Sequence, residues 1–164
     1  MKIRDRIKEL RRVPASELQP NPKNWRKHSE QQENVMRSVL AEVGFAGACL
    51  ARELDDGSLM LVDGHLRAET LNDEPIPVLI LDVDEKEADL ILATYDPISE
   101  MAEADTDAIA ELVGGLEITS QEITDLLSKF DVKELEPPED FDEITDEELD
   151  LPNECPKCGY MWSG

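Results

Sequence analysis

Basic side chains are scarce: 16 Lys and Arg stand against 39 Asp and Glu in 164 residues, a formal charge of −23. Nonspecific binding to a nucleic-acid backbone depends on Lys and Arg neutralising phosphates, so most of the chain is excluded from that role. The scarcity is uneven. Residues 1–38 hold ten Lys/Arg against five Asp/Glu, while residues 39–164 hold six against thirty-four. The front end is the part able to meet a polyanion; the acidic remainder argues for solubility and self-repulsion. Long apolar runs are also missing, which excludes a bilayer-spanning helix. The N-terminal MKIRDRIKELRR scatters its charge and lacks the apolar stretch of a signal peptide, so the expected location is cytoplasmic, with no membrane partner. Cysteine is limited to Cys49, Cys155 and Cys158, too few for a disulfide framework. Aromatic residues contribute 4% against a hydrophobic content of 40%, enough apolar material for one ordinary domain with appendages.

What is present falls into an order. Pro14, Pro20 and Pro22 bias their neighbours toward extended geometry, giving a short strand and then a loop rich in Pro and Asn. Ser29-x-x-Gln32 is the pattern of a capping box. Behind it Val35, Met36, Val39, Leu40 and Val43 make the apolar stripe of a helix that Gly44 can end. Residues 48–53 and 59–62 read as strands joined by Asp55-Asp56-Gly57-Ser58. HLRAETL follows as a short helix and IPVLILDVD as a buried strand. Asp84-x-x-Glu87 then opens a helix through about Thr94 that should bury Ala88, Leu90, Ile91 and Leu92. This succession predicts an α+β fold, a compact mixed α/β domain over residues 1–96. Residues 97–130 predict two short amphipathic helices around Gly114-Gly115, the second capped by Thr119-x-x-Glu122 and apolar at Ile123, Leu126, Leu127 and Phe130. Residues 131–150 carry eleven Asp/Glu and one Lys, the composition of a disordered acidic linker, and residues 151–164 form a cysteine-bearing tail.

The chemistry concentrates in LVDGHLRAETL, residues 61–71. A strand, then Asp63-Gly64, then a helix start places free backbone amides and the positive end of a helix dipole at one point. Glycine lets a ligand approach the backbone, Arg67 reaches it from one turn on, and His65 adds a third donor, a recipe for binding phosphate. The competing reading has Arg67 paired with a carboxylate and His65 capping the turn. In NPKNWRKHS, Trp25 among Lys23, Arg26, Lys27 and His28 is a basic–aromatic mix that binds nucleic acid, or a solvated loop with Trp25 tucked on the core. Cys49 has apolar neighbours and reads as core. Cys155-Pro-Lys-Cys158-Gly159 has the spacing of a zinc knuckle, in which two thiolates share one Zn²⁺. No other Cys or His stands at knuckle spacing. It is half a site, to be completed by a second copy of the chain, left over from a longer ancestor, or redox-active.

The LVDGHLRAETL box resembles that of ParB/sulfiredoxin-fold proteins, whose Gly-x-x-Arg turn binds nucleotide phosphates. The upstream residues are similar to the same family's Leu-x-Pro-Asn-Pro loop, helix and Gly-containing turn, and the likeness covers about residues 9–95. It implies a nucleoside triphosphate with Mg²⁺ as ligand. The implied nucleotide-binding residues are Asn21, Asn24 and Arg26 in the first loop, Gly44 and Phe45 in the second, and Gly64, His65 and Arg67 in the third. The family's double arginine is Leu66-Arg67 here. The phosphate turn also lacks the cysteine of sulfiredoxins, which argues against sulfinic-acid reduction. The rest of the chain resembles ParB-like proteins of phages and mobile elements, implying a role in DNA transactions with DNA or a separately encoded DNA-modifying methyltransferase as partner. Two alternatives stand beside it. One is an enzyme on the same fold, a phosphotransferase or NTPase with Asp63 or Glu69 as catalytic base, or a nuclease; the other is a non-enzymatic adaptor.

Overall fold

The computed structural model describes residues 3–71, 73–130 and, in the tail, 153–154, 156–158 and 161–162. Five strands form one mixed sheet in the order β1-β5-β3-β4-β2. They are Ile7–Pro14 (β1), Leu18–Gln19 (β2), Cys49–Glu53 (β3), Leu59–Asp63 (β4) and Pro75–Leu81 (β5). β1 runs antiparallel to β5, β3 parallel to β5 and antiparallel to β4, and the short β2 parallel to β4. The register sets Val13 opposite Ile76, Cys49 opposite Val78, Ala51 opposite Ile80 and Leu61, and Leu18 opposite Leu59. Directly opposed residues share a face of the sheet, so these positions gather into one aliphatic cluster. The short helix His65–Leu71 (α2) adds Ala68 and Leu71 to it.

The two capping boxes form as expected. Ser29 accepts from the backbone of Gln32, whose side chain answers the Ser29 amide, at the start of Glu30–Val43 (α1). Asp84 and Glu87 do the same for Glu85–Glu100 (α3). Each box satisfies two of the donors that a helix start leaves without partners. The α1 stripe is less deep than expected: none of its residues is fully buried, and Val39 and Val43 are exposed.

α3 departs from expectation twice. It continues past Thr94 through Pro97 to Glu100, although Pro97 removes one backbone bond. Leu90 is 64% exposed, because two residues on from buried Ala88 carries a side chain about 200° around the helix. Beyond α3 lie Thr106–Gly114 (α4) and Gln121–Leu127 (α5). The cap of α5 is Ser120, which accepts from Ile123, and not Thr119. Thr119 is drawn to α1 instead: Glu42 accepts from its amide at 3.2 Å and its hydroxyl at 2.7 Å, and from the Ser120 amide at 2.9 Å. α5 buries Ile123 as expected, while Leu126 is exposed.

The chain divides into a unit over Met1–Asp131 and a second over Val132–Gly164. In the second, Asn153–Glu154 (β6) pairs antiparallel with Met161–Trp162 (β7). The expected acidic linker and Cys155 lie outside the described residues; Cys158 is exposed and free. No helix among the described residues is long and apolar enough to cross a membrane.

Candidate functional site

Gly64 joins β4 to α2 with φ of +90°, a backbone conformation that side chains disfavour. A Cβ built there would lie 2.6 Å from Cys49 Sγ and 3.1 Å from Cys49 Cα. The glycine is thus required twice over, by its own dihedral and by the fully buried Cys49 on the neighbouring strand. Cys49 also donates a weak hydrogen bond to the Gly64 carbonyl at 3.5 Å, and burial pushes its thiol pKa up. That is the core role expected of it.

Four helices begin on a capping side chain: Ser29, Asp84, Asp105 and Ser120. α2 begins after Gly64, which has none. Arg67, one turn in, is half-buried with Nη1 3.8 Å from Cys49 Sγ. Its Nη2 lies 3.6 Å from where a Cβ on Gly47 would stand, so the loop after α1 meets the guanidinium at Gly47. Among the described residues Arg67 has no carboxylate within salt-bridge distance. The expected alternative of an Arg67–carboxylate pair does not form there.

His65 is tied into the fold through one ring nitrogen. Its residue exposure is 6%, and Nε2 accepts a hydrogen bond from the Asn21 amide at 3.2 Å. Burial holds its pKa below the usual histidine range; Asp63 and Asp96 pull it up, and His28 pushes it further down. Nε2 thus acts as the acceptor that ties the first loop to α2. Asn21 is 7% exposed, and its side chain accepts from the Lys23 amide at 2.9 Å, which makes it a turn residue within the same latch.

The first loop is fastened along α3. Lys23 Nζ lies 2.8 Å from Glu85 and 2.6 Å from Asp89. Trp25 Nε1 donates to the Leu92 carbonyl at 3.3 Å, and its ring is exposed rather than tucked on the core. Arg26 stacks on that ring with 4.7 Å to the centroid, places Nε 2.5 Å from Asp96 Oδ2, and engages Glu100 through Nη2. Its Nε is shut from solvent and touches Asp96 without the alignment of a hydrogen bond. The Glu100 hydrogen bond, and next the charges of Asp96 and Glu100, raise the guanidinium pKa. Arg4 and Arg6 meet Glu87 of α3, and Arg11 meets Glu9 and Glu53. Five of the ten front-end cations are thereby matched by acids of the domain itself.

A cleft of about 240 Å³ collects Asn24, Arg26, His28, Asp63, Gly64, His65 and Arg67, together with Met36 of α1 and Tyr95 and Asp96 of α3. Four expected residues stand elsewhere. Asn21 does not line it. Gly44 ends α1 and faces open space, and Phe45 stacks under Arg12 at 5.3 Å. Glu69 borders a separate hollow with Ser16 and Asp73, so of the two candidate bases Asp63 alone reaches the cleft. Tyr95, Asp96 and Gly47 went unpredicted, because nothing local marks them, and His28 was read only as part of the basic–aromatic loop.

Among the described residues no group of three or more His, Cys, Asp or Glu is placed to hold a metal ion. In the cleft Asp96 is engaged by Arg26, leaving Asp63. One carboxylate is too few to hold Mg²⁺ unaided.

No protein-family model matches this chain, and no curated protein does. Solved structures do. The C-terminally truncated chromosome-partitioning protein ParB from Caulobacter crescentus, complexed with CTP-γ-S, superposes with a TM-score of 0.50 at 21% identity. The match covers 65% of this chain and 60% of that one, so the chain spans about 60% of the length of that ParB structure. The same protein complexed to the centromeric parS site gives a TM-score of 0.42 at 18% identity, over 72% of this chain and 64% of that one. A Pnob8-like ParB-N domain gives 0.44 at 15%, over 76% and 62%. The likeness is one of fold: the mixed sheet and its helices are arranged as in a ParB N-terminal domain.

Proposed function

We propose that the cleft binds a nucleoside triphosphate, with its phosphates at the β4–α2 turn against Arg67. On this reading the domain acts, ParB-like, in DNA partition, modification or regulation in a phage or mobile element. The observation that carries the reading is Arg67: half-buried on the cleft wall, without a carboxylate partner among the described residues, beside a helix start that lacks a capping side chain. A guanidinium in partly excluded solvent attracts phosphate more strongly than one in bulk water, and its fork matches phosphate oxygens. Asn24 and Arg26 border the same space. The nucleotide analogue in the Caulobacter ParB structure supports the ligand class. His65 has a positioning role here, holding the first loop to α2.

Titration of CTP and ATP into the wild-type protein and Arg67→Ala tests the reading. Removing a charge-assisted contact of this kind is expected to weaken binding about 10- to 100-fold. Equal affinities in the two proteins, or no binding to either, would count against it. Repeating the wild-type titration with and without Mg²⁺ establishes whether the ion travels with the phosphates.

A further inference from the structure

We infer that Asp96 and Glu100 compete with the ligand for Arg26, so that phosphate reaches this guanidinium only by displacing two carboxylates that hold it in the free protein. The inference rests on the nucleotide reading above and adds two positioning residues to it.

The two acids sit one turn apart on the same face of α3, a spacing that lets them grip one guanidinium from two sides. Arg26 and Asp96 both line the cleft, so the contact lies where a ligand would enter. Arg26 is also held flat by Trp25, whose indole is fixed to the Leu92 carbonyl. This preorganises the guanidinium plane and leaves its partner as the variable.

The side chains of Arg26, Asp96 and Glu100 are 32%, 44% and 64% exposed. Ion pairs this exposed are worth no more than about fivefold each in an equilibrium constant. Such a contact is strong enough to lower affinity and weak enough for a polyanion to break. A phosphate chain brings more negative charge than either carboxylate, and its oxygens can take both edges of the fork. Met36 and Tyr95 border the same cleft and offer no competing charge.

Removing one competitor should therefore strengthen binding, the reverse of what deleting a supporting residue does. Neutralising an acid near any anion site also helps through simple repulsion, and that effect does not need Arg26. A double-substitution cycle separates the two.

The experiment measures CTP and ATP affinity for full-length wild type, Glu100→Gln, Asp96→Asn and Arg26→Ala, and for each acid substitution combined with Arg26→Ala. Arg26→Gln replaces the alanine should that variant melt below the assay temperature. Glu100→Gln and Asp96→Asn are each expected to bind about three- to fivefold more tightly than wild type, with that gain lost in the Arg26→Ala background. Binding seen in Glu100→Gln but undetectable in wild type supports the same conclusion only if it is lost again in Glu100→Gln/Arg26→Ala; binding that survives there overturns it. Gains that persist without Arg26 mean general repulsion and overturn the inference, as do unchanged affinities in a wild type that binds. Failure of every protein in the set to bind nucleotide rejects the nucleotide reading itself, and the competition with it.

Discussion

Gly64→Ala is expected to destabilise the domain by about 2–5 kcal/mol, summing about 1–2 for a side chain in left-handed backbone and about 1–3 for overpacking. Both causes are local and separable. At φ +90° any Cβ is strained whatever surrounds it. The surroundings add their own penalty, because the nearest atoms are Cys49 Sγ at 2.6 Å, Cβ at 3.0 Å and Cα at 3.1 Å. The last belongs to the backbone of β3, which hydrogen bonds to β4 and β5 hold in place. Shortening the obstacle in Gly64→Ala/Cys49→Ala removes the thiol clash, while the rest of residue 49 still crowds the new methyl group and the dihedral strain persists. The double variant should therefore recover part of the loss and never all of it. Urea unfolding of the two variants, with Cys49→Ala as reference, measures both parts. A Gly64→Ala protein within about 0.5 kcal/mol of wild type would mean that the turn relaxes freely. The requirement for glycine would then have some other cause.

The second large effect concerns His65. As a buried neutral ring it accepts the Asn21 amide, and protonation of Nε2 would set a donor against a donor. Its pKa in the folded domain is lowered, chiefly by burial. The unfolded chain, where histidine titrates near about 6.5, therefore takes up the proton first as pH falls. Stability from this ring is complete above that value and is lost as pH drops toward the folded-state pKa, at up to about 1.4 kcal/mol per pH unit. His65→Leu keeps the bulk but strands the Asn21 amide, at a cost of about 1–3 kcal/mol near pH 7.5. It should also flatten the acid dependence below about pH 6.5, so the two proteins converge as pH falls. Unfolding curves at three pH values test both statements together. Parallel loss of stability in wild type and His65→Leu would show that the ring is not the group responsible.

Much of the scaffold is legible in the sequence because its signals are short-range. Ser29 with Gln32, and Asp84 with Glu87, announce helix starts through bonds made within one turn, so reading four residues suffices. The β3–β4 hairpin is likewise written in its turn residues, and β5 in a short continuous apolar run. The end of α3 is not, since Pro97 argues for a stop in any local reading. The last turn instead presents Asp96 and Glu100 to Arg26, some seventy residues earlier in the chain.

The site divides along the same line. Gly64 stands out locally as a special turn, and Arg67 as the cation beside it. The full reason for that glycine does not, because the atom it avoids belongs to Cys49 on another strand. His65 reads as a ligand donor in sequence, and no local pattern states that its nitrogen faces the Asn21 amide. Glu69 lies two residues from Arg67, and about 200° around the helix is enough to put it outside the cleft. Phe45 belongs at the site by likeness, yet Arg12 occupies its ring.

The grip of α3 on Arg26 has a consequence for ionic strength. Dissolved salt screens the attraction between a guanidinium and an incoming phosphate, but it screens the hold of Asp96 and Glu100 on that guanidinium too. At Arg26 the two influences oppose each other, whereas Arg67 has no carboxylate partner among the described residues to offset the first. Nucleotide affinity should then fall with added sodium chloride about as steeply as for a site with one cation, even though two line the cleft.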